Sequence, residues 1–386
     1  MAPGIRLGRR LFFLSAFAHA CQGFGGLRIP SRVGKVQFPN WTTSMTFQRD
    51  WEAGLAALSN LGPISRQGAL QGAFSAGLAL TGLSTEPWSP GPPRELVYDV
   101  KNERIFDTSR SSYLPAEPGR LIHPPFLKNC RLLCLGESHT HPLHHRMQFN
   151  FIKAMNFASQ ELGEPMVVGL EMFYRQQQAA LDRFVYFHGN LALLKAETQW
   201  DQTWGFDFNN YAKIFRYARE NGIRLMGLNA PGALVSLVGA KGVNGLPKEL
   251  RELLPDMDLA QEKHRRRFMA TMASTAEQHG GELGEEVLGR MYEAQTLWDE
   301  YMADSASSYL KRKPSGRMAL LAGTGHIESR DGIPDRVERR TGERPFTVVP
   351  LSVAWTVEGL PDIDRPQGAA FADWVYYTQR QASSAA

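Results

Sequence analysis

The apolar positions of this chain fall into short runs separated by longer segments of helical period. Residues 131–135, 166–170, 224–228, 318–322 and 346–351 are such runs, almost wholly apolar and bounded by glycine, proline or polar residues. Runs of this length without alternation are the pattern of strands buried on both faces of a parallel sheet. Between the first two, Pro142 suits the first turn of a helix reaching about Leu162, and Met147, Phe151, Ala154, Met155 and Ala158 fall on one stripe of it. A further helix is expected around Tyr211 to Asn221, ended by Gly222 at the position where helices place glycine. A long helical stretch from about Leu259 to Lys313, interrupted at Gly280-Gly281, leads into the fourth run, and 346–351 is the last strand expected. Ahead of the first run, 96–100 and 104–107 read as a small hairpin with Asn102 in the turn. This alternation predicts an α/β fold: a mostly parallel central sheet flanked by helices, with a long helical insert before the last strands and right-handed crossovers.

Composition narrows the class. The 386 residues are 43% hydrophobic and 21% charged with a net charge of +4, ordinary for a globular protein and too weakly basic to argue for nucleic acid. Three cysteines, Cys21, Cys130 and Cys134, cannot build a disulfide framework, and Cys134 sits mid-strand as a structural thiol. Arg6, Arg9 and Arg10 precede the apolar run 11–18 and then Ala18-His19-Ala20, the arrangement of a cleavable signal. That run is well short of the roughly 20 residues a membrane span needs, so no stable span is expected in the mature chain. Residues 65–82, small and weakly apolar after Arg66, read equally as the transfer segment of a bipartite plastid presequence or as a loose amphipathic helix. Pro87, Pro90, Pro92 and Pro93 then form a linker. The expected organisation is a leader and linker over 1–95 and one domain over 96–386, located in the chloroplast, with the thylakoid lumen a candidate sub-compartment and the secretory pathway as the alternative.

The polar residues at the strand ends carry the chemistry. Gly136-Glu137-Ser138-His139 follows the first run and Gly323-Thr324-Gly325-His326 the fourth, while Glu171 and Asn229 end the second and third. In an open parallel sheet these ends gather along one edge, where ligands bind. A single strand-end histidine more commonly caps a helix or bonds a carbonyl; two matching Gly-x-x-His turns with Glu171 favour a site. His139, Glu171 and His326 have the donor types of a transition-metal site with an open position. Glu137 reads either as an ion-pair partner of Arg146 or as a catalytic or metal-bound carboxylate. At the start of the next helix His141, His145 and Gln148 share a face. His145 is expected to point into the site, His144 into solvent, and His141 to act as a cap or a ligand. The positive end of that helix favours an anionic group nearby.

These residues resemble a known family. Leu135-Gly136-Glu137-Ser138-His139, His144-His145-Arg146-Met147-Gln148 and Gly169-Leu170-Glu171-Met172-Phe173 are similar to the ChaN-like haem-binding uptake proteins of the Tiki superfamily. So are Trp200, Trp204 and Tyr211, Leu228-Asn229-Ala230-Pro231, Gln295 with Trp298-Asp299 and Met302-Ala303, Gly325-His326-Ile327 and Gly332-Ile333-Pro334, from about Leu96 onward. The resemblance implies a parallel α/β domain that binds haem or a related tetrapyrrole in a pocket shared across a homodimer, with a role in haem or iron handling. It also implies a tyrosine on the iron. No motif fixes that tyrosine; Tyr174 and Tyr211 are candidates, though each also reads as a core aromatic. The expected cofactor-binding set is His139, His145, Gln148, Tyr174, Tyr211 and His326.

Other branches of the superfamily imply a metal-dependent hydrolase, a protease or esterase. There His139, Glu171 and His326 hold a divalent transition metal or activate water, and Glu137 is the general base, with Glu137 and Glu171 the catalytic candidates. Phe268, Met269, Met272, Met291 and Met302 read as an apolar cover for a macrocycle or as plain core. The run Lys263 to Arg267 reads as a propionate contact or a solvated face. A silent scaffold is disfavoured because neither Gly-x-x-His motif is broken. The expectation is a plastid haem-binding protein of the ChaN type rather than an enzyme, with the hydrolase as the alternative.

Overall fold

A single eight-stranded sheet organises the domain, in a computed structural model that describes residues 103–115, 125–187, 189–278, 283–363 and 367–380. The expected leader and linker, the 96–100 strand and the Gly280-Gly281 break lie outside the described residues. Strands β1 (Glu103–Asp107) and β2 (Ser112–Tyr113) form a hairpin. The strand expected at 104–107 is therefore present, and among the described residues it forms a hairpin with β2. The other strands are β3 (Leu132–Glu137), β4 (Met166–Tyr174), β5 (Arg224–Asn229), β6 (Arg317–Gly323), β7 (Phe346–Val353) and β8 (Trp374–Gln379). In the order β2-β1-β8-β7-β3-β6-β4-β5, the last six run parallel and β1 joins β8 antiparallel.

Helix α1 (Pro142–Leu162) joins β3 to β4, beginning at the expected proline and ending at Gly163 with φ 65°. Between β4 and β5 lie α2 (Gln178–Tyr186), α3 (Leu191–Glu197), α4 (Trp200–Thr203) and α5 (Asn209–Glu220). Gly222 follows α5 with φ 63°, a left-handed conformation that glycine adopts without the Cβ penalty. The insert before β6 contains α6 (Gly232–Lys241), α7 (Lys248–Arg251), α8 (Glu262–Gln278) and α9 (Glu285–Arg312); α10 (Ile333–Thr341) follows β6. No helix among the described residues is long and apolar enough to cross a membrane.

The period of two along each strand splits the core into two layers. Leu133 and Leu135 of β3 join Ala319 and Leu321 of β6, where Met147, Phe151 and Met155 of α1 cover them. Leu132 and Cys134 point the other way with Met318, Leu320 and Ala322, against Met302, Ala303 and Ala306 of α9 and Val337 of α10. Burial pushes the Cys130 thiol up to about 12 and Cys134 higher still, so both stay protonated structural thiols. Phe268, Met272, Met291 and Tyr292 form a separate small cluster between α8 and α9. Most of the methionine stripe is thus packing between these two helices, while Met302 belongs to the layer on the sheet. Strand β8 was not expected; its Trp374 and Tyr376 face one layer and its Val375 and Tyr377 the other. Its apolar run is short, Trp374 to Tyr377, and no helical period precedes it to mark a crossover.

Candidate functional site at the carboxyl edge of the sheet

Register brings the strand-end residues together. Glu137 of β3 lies beside Gly323 of β6, and Leu170 of β4 beside Leu321, so Glu171 flanks the same strand from the other side. A Cβ on Gly323 would stand 3.1 Å from His139 Cε1 and 3.6 Å from Glu171 Oε2, so the absent side chain is what lets the two groups meet.

The first group is centred on Glu137, whose side chain has no solvent exposure. Its Oε1 accepts from His139 Nδ1 at 2.7 Å and from the Tyr211 hydroxyl at 2.5 Å, and its Oε2 accepts from Gln148 Nε2 at 2.7 Å. Burial alone raises a carboxyl, but the neighbouring charges of His145 and His139 and these hydrogen bonds outweigh it and hold Glu137 at about 2. His145 Nε2 donates to the His139 carbonyl at 2.9 Å, and its Nδ1 lies 3.3 Å from Gln148 Oε1 and 3.6 Å from Glu137 Oε2. His145 and Gln148 therefore brace the loop and the carboxylate. Tyr211 is also fully buried, and burial together with the Glu137 charge pushes its hydroxyl well above the usual tyrosine range.

The second group is centred on His326, in the short turn after β6. Its Nε2 lies 3.3 Å from Glu171 Oε1, and its Nδ1 donates to Asp299 Oδ1 at 2.6 Å. The other Glu171 oxygen accepts the Gly323 backbone N–H at 2.6 Å. Burial lowers an imidazole, but the charges of Glu171 and Asp299 prevail and raise His326 to about 10. Glu171 is correspondingly lowered: burial opposes this, and His326 and His139 overcome it.

Half-buried aromatic rings frame both histidines. The His139 ring lies 4.6 Å from Trp204 and 4.7 Å from Phe206, and Trp298 stands edge-on to His326 at 6.2 Å. Tyr174 lies apart from the cluster, with its hydroxyl against Gly232 at the start of α6.

Several neighbouring residues sit elsewhere than expected. Arg146 pairs with Glu103 at 2.7 Å rather than with Glu137. His144 is buried, not solvated: its Nδ1 accepts the Ser138 N–H at 2.9 Å, and its ring stacks on His141 at 4.0 Å. His141 occupies the N-cap position of α1 without a capping side-chain bond and instead meets Ser352 at 2.8 Å. The basic run is only partly solvated, because His264 is buried and Arg267 pairs with Glu328 and Asp331. Asp299, the carboxylate behind His326, was singled out only as part of a family segment. Its signal was a polar pair, Gln295 and Asp299, four residues apart in an apolar helical stretch, hence on one face.

A parallel sheet with paired carboxylates and histidines at its carboxyl edge defines an α/β protein whose polar strand ends gather where open sheets of this class bind ligands. The chain belongs to the family described as haem-binding uptake, Tiki superfamily, ChaN, whose model matches residues 126–337, more than half of its length. Among solved structures, that of cofacial heme binding to ChaN of Campylobacter jejuni is similar, with 17% identity over 74% of this chain and 100% of that chain and a TM-score of 0.56, a likeness of fold. An erythromycin esterase mutant, EreC, matches at 15% identity over 68% of this chain and 81% of its own, with a TM-score of 0.37. A Bacillus cereus protein matches at 11% identity over 66% and 90%, with a TM-score of 0.38. Comparison with curated protein sequences gives no match.

Proposed function

We propose that this protein binds haem or a related tetrapyrrole at the carboxyl edge of the sheet, in a haem- or iron-handling role. Family membership supports this, and the observation that carries it is the half-buried aromatic frame of Trp204 and Phe206 around His139. Such rings present flat apolar faces to a macrocycle, and the residues suit that group in shape. His139 and the frame would contact the ligand, while Tyr211 and Gln148 hold Glu137 behind it. Haem, when bound, supplies an iron centre; these residues supply an apolar wall and a hydrogen-bonded imidazole. Plastid location and homodimerisation belong to the same proposal, tested by imaging the tagged full chain and by light scattering. The main test is a haemin titration of the protein followed by visible absorbance, alongside His139→Ala and Trp204→Ala. A saturable Soret shift weakened in both variants is expected, with charge-transfer bands reporting the axial ligand. Weak, unsaturable binding that is equal in all three would sink the reading.

A second reading, hydrolysis, is favoured by one observation: each strand-end histidine has its own carboxylate, Glu137 for His139 at 2.7 Å and Asp299 for His326 at 2.6 Å. Two such pairs facing each other can activate a water and protonate a leaving group. Among the described residues, no three His, Cys, Asp or Glu side chains converge as a metal site, so the proposal is written for acid–base chemistry. Hydrolysis of an activated ester lost in both Glu137→Gln and His326→Gln would support it; equal background rates in all proteins would dismiss it.

A further inference from the structure

A buried chain of polar contacts runs away from the site toward the helices that pack beside it. Arg336 of α10 has no solvent exposure, and its guanidinium is held by the carbonyls of Asp331 and Gly332 and by Glu300, whose nearest oxygen is 3.2 Å from Nε. Its Nη2 reaches His264 Nδ1 of α8 at 3.2 Å. The far side of that ring, Nε2, faces Asp299 Oδ2 at 3.4 Å, and Asp299 Oδ1 meets His326 Nδ1 at 2.6 Å. Gln295 Nε2 lies 3.1 Å from His326 Nδ1 and 3.4 Å from Asp299 Oδ2; with the Nδ1 proton given to Asp299 at the shorter 2.6 Å, the Gln295 amide proton goes to the Asp299 carboxylate.

The direction of this chain is fixed by chemistry. A guanidinium has only donors and an ionised carboxylate only acceptors. Arg336 must therefore donate, His264 Nδ1 must accept, and the remaining proton of the neutral His264 ring lies on Nε2, the nitrogen that faces Asp299. Asp299 in turn accepts from His326 and holds a proton on its Nδ1. With one nitrogen committed, His326 can offer only Nε2 at the sheet edge, where Glu171 stands at 3.3 Å.

We propose that Asp299 is a positioning residue that, backed by His264 and Arg336, fixes the orientation of His326 and keeps its Nδ1 protonated, so that Nε2 is the nitrogen that faces the ligand. The inference deepens the proposed ligand site at the sheet edge and rests on that reading only for its consequence. Positioning carboxylates behind a histidine commonly change affinity or activity by about tenfold or more when removed.

The test is long-range proton–nitrogen correlation spectroscopy on the full chain with nitrogen-15 histidine, without haem, His326 being assigned by its loss in His326→Gln. Wild type is expected to show a protonated Nδ1 at His326 and an unprotonated Nδ1 at His264. On titration to alkaline pH, wild type should keep the Nδ1 proton when His326 loses its charge, Asp299→Asn should give a mixed tautomer there, and Asp299→Glu should restore the wild-type pattern in part. His264→Gln, which keeps Asp299 in place, should give an intermediate shift and guards against misfolding of the first variant. An unprotonated Nδ1 at His326 in wild type, or a His326 pattern unmoved in Asp299→Asn, overturns the proposal. Haemin titration of the same samples reports separately: Asp299→Asn should bind about tenfold more weakly. Absence of binding by wild type would sink the haem reading while leaving the nitrogen signatures to decide the role of Asp299.

Discussion

The Tyr211 hydroxyl donates to Glu137 Oε1 at 2.5 Å across 74 residues of sequence, tying α5 to the end of β3. Tyr211 acts through the carboxylate, so Tyr211→Phe should leave the position of the haemin Soret band unchanged. Removing a hydrogen bond to a buried charge should still lower stability by about 1.5–3 kcal/mol. Denaturant midpoints and visible spectra of the variant check both statements, and a lost charge-transfer band would instead make Tyr211 the iron ligand.

Stability should decline on both sides of mildly acidic pH. Glu137 is depressed to about 2, so its contribution is present above its unfolded value, 4.5, and is lost as pH falls through about 2. His326 is raised to about 10, so its contribution is complete below 6.5 and is lost as pH rises through about 10. Thermal melts from pH 2 to 10 should show the acid limb flattened in Glu137→Gln and the alkaline limb flattened in His326→Gln.

Gly323→Ala tests the meeting of the two groups. The new methyl would stand 3.1 Å from the His139 ring, tighter than ordinary contact, so His139 must move. Far-UV circular dichroism should stay native, while haemin affinity falls at least as far as in His139→Ala. Wild-type affinity would show that the His139 ring is free to shift without consequence.

Arg267 fastens α8 to the loop after β6, with Glu328 at 3.1 Å, Asp331 at 2.6 Å and the Gly325 carbonyl at 3.2 Å. Arg267→Ala leaves Asp331 buried without this partner, a change that costs about 3–5 kcal/mol for a buried pair. Hydrogen exchange should accelerate first in 262–278 and in the turn carrying His326, before the sheet. Uniform acceleration across the chain would mean that α8 is not a separate unit.

How much was legible in the sequence follows from these residues. The strands ending at Glu137, Glu171 and Gly323 announce themselves because a doubly buried strand must be apolar throughout, and the polar residues that break the runs mark the edge. Strand β8 is less legible for another reason: its apolar run, Trp374 to Tyr377, is short, and no helical period precedes it to mark a crossover. Partners contributed by helices were less visible. Asp299 and His264 lie 35 residues apart on different helices, and only the packing of α8 against α9 sets His264 Nε2 within 3.4 Å of the carboxylate. His144 was misjudged because its burial comes from Ser352 and Thr378, two strands of the far end of the chain.

Strand β6 lies between β3 and β4, although about 150 residues separate it from β4 in sequence and β3 and β4 do not pair with each other. During synthesis the two acidic strand ends therefore emerge long before the strand that fills the gap between them. Glu137 can meet Gln148 and Tyr211 before β6 arrives, but Glu171 gains the Gly323 N–H and His326 only with it. Joining such distant segments is slow, because loop closure precedes the contacts that reward it. The cluster that joins Glu171 to His326 is thus among the last parts of the domain to form, and a chain stalled before β6 lacks β6, β7 and β8 and leaves β3 with neither of its neighbours.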